Sequence, residues 1–501
     1  MKVAIRADAS ARIGSGHVVR CLALADGIAA RGGEAVFVTR ELPQHLRDAI
    51  TQGGHKHVSL ALPIPAELDA PQEPWPQAEQ LRDAARTREM LAGFAPEWIV
   101  VDHYGLAERW ETEMQGSGAR LLAIDDLARA HSCNILLDAN FHPHAAQRYR
   151  EAQDGGAKLL LGPRHALLRP AFAQGRAAVK PRTGPVRRLL VFMGGMDAGN
   201  ATGRVLAAVE RLPESPDIDV VIGATHPARK AIQAFCDARP GRTCHVQTDD
   251  MPGLLARTDV AVGAGGGASW ERCCLGVPTL ALALAKNQAE ALAPAADAGL
   301  LLLPDGGFPE TELLAAHLLA LIHNAPLRRR LSEAGMAMVD GKGVARVVGA
   351  MAGSLVQVRP ASPEDSERLH AWRNAPAVRS ASRNDAPIAL DEHQRWFDAV
   401  LRSPDRVLLI GEDGAGPVGV VRFDLDGPVA EVSIYLAETR LGQGLGRGLL
   451  RSAEEWLARR RPEVSRLRAE VLVGNTASQL LFEEGGYEPA GQRFAKRMEH
   501  A

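Results

Sequence analysis

Gly14-Ser15-Gly16-His17 closes a loop of small polar residues and runs straight into a helical pattern. Backbone N–H groups at a helix N-terminus have no partner within the helix, and glycines let an anion approach them. A histidine there titrates near neutrality and can take a proton from whatever the turn cradles. The plainer alternative is an ordinary turn with a surface histidine. Two more turns repeat the arrangement. Gly194-Gly195-Met196-Asp197 follows one apolar run, and Gly265-Gly266-Gly267-Ala268-Ser269-Trp270-Glu271 follows another and enters a helix. Free N–H groups there suit a diphosphate, and Glu271, one turn inside the helix, can accept bonds from ribose hydroxyls. A solvated glutamate beside a glycine-rich turn is the competing explanation. A fourth turn, Gly442-Gln443-Gly444-Leu445-Gly446-Arg447-Gly448, again lies between a strand pattern and a helix.

The elements that must position these turns alternate along the chain. Val3–Ile5, Ala35–Thr39, Trp98–Asp102, Leu121–Asp125, Ile135–Leu137 and Leu159–Leu161 are short apolar runs separated by helical patterns. Such runs predict a parallel sheet covered on both faces, with the ligand crevice at the strands' carboxyl ends. Asp102 and Asp125 close two of these strands as orienting groups or as caps. The basic stretch Gln174 to Arg188 reads as a linker. The pattern restarts at Leu189–Phe192, Asp219–Ile222, Asp259–Val262, Thr279–Leu284 and Leu300–Leu303, predicting a second sheet. Beyond residue 350, a strand at Val356–Pro360 precedes helical patterns at Pro363–Arg373 and Leu390–Leu401. A hairpin, Val407–Glu412 with Val418–Asp424, and a strand Glu431–Leu436 then lead into the fourth turn. The expected domains are 1–173, 188–350 and 356–501.

Composition narrows the classes. A chain of 501 residues exceeds one core, and 46% hydrophobic with 24% charged residues describes a globular protein. A net charge of -2 without long basic or acidic runs argues against nucleic-acid and membrane-surface partners. Six cysteines without CxxC spacing read as reduced core residues of a cytoplasmic protein, and residues 1–5 as a strand in place of a signal peptide. His142-Pro143-His144 and Asp125-Asp126 offer metal-ligand types without ligand spacing, so no metal is expected.

Four segments carry a resemblance across about 1–350: RADASARIGSGHVVRCLALA from Arg6, VDHYG from Val101, FMGGMD from Phe192 and KNQ from Lys286. In order and at strand ends, they resemble the UDP-sugar hydrolase of pseudaminic acid biosynthesis, a relative of the two-domain GT-B glycosyltransferases. The resemblance implies an α/β fold with a GT-B-like pair of doubly wound domains. It implies His17 as the base activating water against the anomeric carbon of UDP-2,4-diacetamido-2,4,6-trideoxy-β-L-altropyranose, with inversion. It places Tyr104 and Asn287 at the sugar, and Gly14, Ser15 and Gly16 in the catalytic turn. Gly194, Gly195, Gly267, Ala268 and Ser269 would lie along the diphosphate, with Glu271 at the ribose.

The last 145 residues or so resemble the GNAT acetyltransferases, an α+β fold whose glycine turn binds the pyrophosphate of acetyl-CoA. Gly442, Gln443, Gly444, Leu445, Gly446, Arg447 and Asn475 would then bind that co-substrate. One register puts Gln443 first with Gly446 and Gly448 in the glycine slots. The favoured one uses Gly444 and Gly446 and has Leu441 where Arg or Gln is expected. The family's usual tyrosine acid is Phe482 here, leaving Tyr487 and Tyr435 as candidates for the acid or as core residues. Glu431 is a base through water or a solvated carboxylate. His370, Trp372, Arg373 and Asn374 resemble residues placed near a sugar nucleotide. The fusion implies a bifunctional enzyme that acetylates a UDP-4-amino-sugar and then removes UDP. The rivals are a GT-B glycosyltransferase or a hydrolase of another nucleotide sugar, a nucleotide-sugar-binding module, and a protein N-acetyltransferase.

Overall fold

The computed structural model describes every residue except 11–12, 65–72, 151–155, 285, 354–355, 383, 414–415, 442–443, 473, 491–492 and 498–501. Within its elements it also leaves out the side chains of 150, 286–287, 290–291, 484, 490, 493 and 497. The chain forms two compact units, Met1–Val347 and Val348–Ala501.

The first unit holds two parallel sheets. In the first sheet, β1 (Lys2–Ala7), β2 (Glu34–Thr39), β3 (Lys56–Ser59), β4 (Trp98–Asp102), β5 (Arg120–Ile124), β6 (Ile135–Asp138) and β7 (Lys158–Leu161) take the order β3-β2-β1-β4-β5-β6-β7. In the second, β8 (Arg188–Phe192), β9 (Asp217–Ile222), β10 (Arg242–Val246), β11 (Val260–Ala264) and β12 (Thr279–Leu282) take the order β10-β9-β8-β11-β12. Both orders reverse direction once, between β1 and β4 and between β8 and β11. At such a switch point the flanking helices lie on opposite faces, and a crevice opens at the carboxyl ends. The strands are apolar on both sides because both faces are covered. Leu189, Val191, Val220 and Val262 pack into one core layer, and Leu190, Val221, Ala261 and Ala281 into the other.

Three sequence expectations change here. Leu300–Leu303 is no strand: it makes a single parallel bridge, Leu280 with Leu302, and Pro304 follows without an N–H to extend the ladder. The edge strands β3 and β10 were not expected, since KHVS and RTCHV are too polar to read as sheet. The first part of the supposed linker is helical, Pro170–Ala178. Arg182 then ties the rest down through Thr258 O at 2.9 Å and Ala256 O at 2.8 Å.

The second unit is a mixed seven-stranded sheet. β13 (Gln357–Pro360), β14 (Arg406–Asp413), β15 (Gly416–Asp426), β16 (Val429–Leu436), β17 (Arg466–Glu470), β18 (Glu488–Ala490) and β19 (Arg493–Arg497) lie in the order β13-β14-β15-β16-β17-β19-β18. The first four pair antiparallel, whereas β16 and β17 run parallel. The β16–β17 ladder spans only Val429–Val432 against Arg466–Ala469, so residues 433–436 of β16 extend past it. On one face Val432 and Leu467 pack against Leu449 and Ala453 of the helix Gly446–Arg460. The other carries Leu369, Phe397 and Val400 from the helices Ser366–Asn374 and Leu390–Arg402.

Candidate functional sites

The first switch point assembles an acid–base pair. The turn after β1 is pinned by Gly14 N–H donating to Ser10 O at 2.9 Å, with Gly14 at φ 81°, a region that favours glycine. The helix Gly16–Ala29 begins there without a side-chain cap, so its first N–H groups face the crevice. His17 is its second residue. Its Nδ1 lies 2.5 Å from Oδ1 of Asp102, 85 residues away and at the end of β4. Asp102 is fully buried and also accepts from Arg20 Nε at 2.6 Å and Nη2 at 2.5 Å. Burial works to raise its pKa, but the Arg20 guanidinium and His17 outweigh it and hold the carboxyl well below the usual range. An ionised Asp102 requires the proton on Nδ1, leaving the Nε2 lone pair available as a base.

Neighbouring strand ends complete this half. The Tyr104 ring stands edge-on to His17, with centroids 4.9 Å apart. Its hydroxyl donates to Asp126 Oδ2 at 3.1 Å. Burial, and then Asp126, push the Tyr104 pKa up, so it stays a neutral donor. Asp125 faces elsewhere: it accepts from Leu127 N, Arg129 N and Arg129 Nε, while Arg129 Nη1 reaches Tyr104 O. It therefore orders the Tyr104 loop and does not orient His17. Behind the turn, His103, just past β4, brings Nε2 to 3.2 Å from Asp8 Oδ2 beyond the end of β1, and Arg6 of β1 bonds Asp83 of the helix Gln77–Leu91.

The second switch point supplies the glycine turns. Gly194 (φ 97°) and Gly195 follow β8, and Gly195 backs so closely on the turn after β9 that a Cβ on Gly223 would lie 2.0 Å from Gly195 O. A Cβ on Gly195 itself would come 3.7 Å from Ser15 Oγ. The turns of the two sheets therefore face each other directly across the crevice. Asp197 caps the helix Ala201–Val209 through Ala201 N and Thr202 N, and accepts from His226. After β11, Gly266 (φ 97°) starts the helix Gly267–Cys274, with no Cβ-distance neighbour at Gly267. Ser269 is turned inward. Its Oγ takes Arg272 Nη2 at 3.1 Å and its N–H goes to Gly266 O, which leaves Gly267 and Ala268 as the open positions. Glu271 has no side-chain partner among the described residues, and burial raises its pKa to about 7 against the pull of Arg169 and Arg272. Asn287 belongs to the helix Lys286–Asp297, but its side chain lies outside the described residues. A cavity of about 670 Å³ opens beside that helix, lined in part by Leu284, Asp297, Asp305 and Gly307.

In the second unit Gly442 and Gln443 lie outside the described residues. Gly444 (φ 73°) turns the chain, Leu445 is buried, and the helix starts at Gly446 without a side-chain cap. Gly448 lies against Gly353 O, where an added Cβ would come within 1.9 Å. Arg447 is exposed. Asn475 caps the helix Thr476–Glu484 through Ser478 N at 3.1 Å, which is a structural duty. Asn374 bonds Ile388 N and O and holds His370, so both order the 384–388 loop. Arg373 donates to Asn384 O, while its buried Nη1 has no partner among the described residues. Among the described residues, no three metal-ligating side chains converge and no helix is long and apolar enough to cross a membrane.

Residues 356–488 match the acetyltransferase (GNAT) domain model. The chain is 32% identical over 203 residues to the spore coat polysaccharide biosynthesis protein SpsG of Bacillus subtilis, covering 40% of this chain and 60% of that protein. It thus spans less than two thirds of this relative's length. It is 23% identical over 290 residues to the UDP-2,4-diacetamido-2,4,6-trideoxy-beta-L-altropyranose hydrolase of Campylobacter jejuni, covering 58% of this chain and 93% of the hydrolase. The S. aureus MnaA–UDP structure superposes with a TM-score of 0.50 at 13% identity, covering 70% of this chain and 95% of that one. The chain therefore joins a GT-B-like pair of parallel sheets to a mixed-sheet domain that matches the GNAT acetyltransferase model.

Within that frame the structure brings His17, Tyr104, Ser15, Gly195 and their neighbours together at the first crevice. Three participants escaped the sequence reading. Arg20 had a signal, since position i+3 on a helix shares the face of His17. Asp126 stands one residue past β5, the kind of strand end that marks Asp102. Arg129 had none: only the fold brings it under Tyr104.

Proposed function

We propose that the N-terminal unit hydrolyses UDP-2,4-diacetamido-2,4,6-trideoxy-β-L-altropyranose, and that the C-terminal unit forms its substrate by acetylating the UDP-4-amino-sugar precursor with acetyl-CoA. One observation carries the first half: a histidine locked to a buried carboxylate at a switch point, opposite a glycine turn able to take a diphosphate. His17 Nε2 takes a proton from water, whose oxygen attacks the anomeric carbon. The bond from that carbon to the phosphate oxygen breaks, and UDP leaves with the electron pair. The N–H groups of the helices starting at Gly16 and Gly267 stabilise the charge gathering on the diphosphate. Gly194, Gly195 and Ala268 allow its close approach, Glu271 accepts the ribose hydroxyls, and Tyr104 and Asn287 meet the sugar. In the C-terminal unit, the turn at Gly444–Gly446 holds the pyrophosphate of acetyl-CoA.

The test supplies the UDP-4-amino-sugar and acetyl-CoA to the whole chain in 18O-water and follows CoA and UDP by NMR. CoA should appear first, UDP only after acetylation, and the label should enter the sugar. His17→Ala should cut UDP release by about 10²- to 10⁴-fold and leave CoA release intact. UDP release that requires an added acceptor would make the unit a glycosyltransferase. UDP binding without turnover would make it a binding module.

A further inference from the structure

Acetyl transfer from a thioester leaves a thiolate, and a hydroxyl usually supplies its proton. The residue expected there by position, Phe482, has none; it is buried against Tyr487 and Phe494. The protein has four tyrosines, and only Tyr435 and Tyr487 belong to the C-terminal unit. Tyr487 is committed elsewhere. Its hydroxyl donates to the buried Glu454 Oε1 at 2.7 Å, and the half-buried Lys496 holds the other carboxylate oxygen.

Tyr435 differs on each count. Its hydroxyl has no hydrogen-bond partner among the described residues. It lies on the part of β16 that extends past the β16–β17 ladder, six residues before Leu441 and the fourth glycine turn. Its ring packs against the cluster of Leu369, Phe397 and Val420, on the face opposite the helix Gly446–Arg460. Arg373 and Arg422 are its charged neighbours, and the buried Nη1 of Arg373 has no partner among the described residues. Glu431 lies four residues back on the same strand, roughly 13 Å away by strand rise, too far to share one reacting centre.

We propose that Tyr435 is the catalytic acid of the acetyltransferase unit, giving its hydroxyl proton to the departing CoA sulfur. The inference rests on the acetyl-transfer reading above. The amine nitrogen bonds to the thioester carbonyl carbon, the tetrahedral adduct collapses, and the C–S bond breaks with its electron pair on sulfur. The O–H proton of Tyr435 passes to that sulfur. The ammonium formed on the acceptor loses its proton to water, and the phenolate recovers one from solvent.

Tyr435→Phe in the full chain tests this with two donors, acetyl-CoA and its selenoester analogue. A selenolate leaves without protonation, so the two donors separate acid catalysis from packing. With acetyl-CoA, kcat should fall about 100-fold while KM changes by less than about threefold. With the selenoester, the variant should recover to within about fivefold of wild type. Equal losses with both donors, or no loss, would overturn the assignment. The slow hydrolysis of acetyl-CoA without any amine needs the same acid and reports on Tyr435 independently of the acceptor. If the wild type fails to acetylate the amino sugar, the acceptor reading falls. If wild type and Tyr435→Phe hydrolyse acetyl-CoA at the same rate, Tyr435 falls.

Discussion

Both units present a glycine turn where a strand meets a helix, yet they surround it differently. In the N-terminal unit the turn's histidine is bonded to Asp102, Asp102 is clamped by Arg20, and the loop before the turn is tied to β4 through Asp8 and His103. In the C-terminal unit the Tyr435 hydroxyl has no partner among the described residues, and Gly448 packs directly against the Gly353 carbonyl. On the proposed reading, the difference follows from the chemistry each unit would do. Activating water needs one tautomer of one histidine, which only a buried anion can enforce. A thioester is already activated, so its site needs position and a proton more than an ionic frame.

Asp102→Asn strikes this contrast hardest. An amide at 102 no longer demands a proton on Nδ1 and leaves Arg20 beside a neutral group. We expect UDP release to fall about 10²- to 10³-fold with little change in UDP affinity. An undiminished rate would mean the ionic frame is only structural. Gly448→Ala probes the other side. Its methyl would meet the Gly353 carbonyl, so the C-terminal unit should lose about 1–3 kcal/mol in denaturant unfolding and bind CoA more weakly. UDP binding should not move. The smallest effect is a pH dependence confined to the N-terminal unit. Glu271 carries a pKa of about 7, raised by burial, and accepts ribose hydroxyls best when ionised. UDP affinity should therefore rise several-fold from pH 6 to 8, and Glu271→Gln should flatten the profile. The linked stability has the opposite sign. Between the ordinary carboxyl range and about 7 the folded protein keeps a proton that the unfolded chain has released, so unliganded stability falls as pH rises through that window. Calorimetry with and without UDP would show both slopes.

Much of the first site was legible because its turns are local. Glycines at Gly14, Gly194 and Gly266 and the apolar runs before them need only neighbouring residues to be read. The polar edges were not legible: β3 and β10 form because β2 and β9 already present unpaired ladders, a demand that KHVS and RTCHV do not advertise. Ser269, read as a substrate-binding residue, has its hydroxyl drawn inward by the buried Arg272, which the sequence did not announce. Asn475, read as a co-substrate ligand, also caps a helix, a duty that only the placement of the chain shows.

The amino-acid sequence by itself determined the alternation of strands and helices, the glycine turns at strand ends, and the placement of a histidine just inside a helix. These depend on side-chain periodicity and on backbone freedom within a few residues. Tertiary structure alone decided that β4 lies beside β1, which brings Asp102 to His17 across 85 residues. It alone decided that the turn at Gly195 faces Ser15, and that Tyr487 is consumed by Glu454 while the Tyr435 hydroxyl finds no partner among the described residues. Strand order and burial are properties of the whole packed unit, and no local pattern encodes which partner a buried charge or hydroxyl will find.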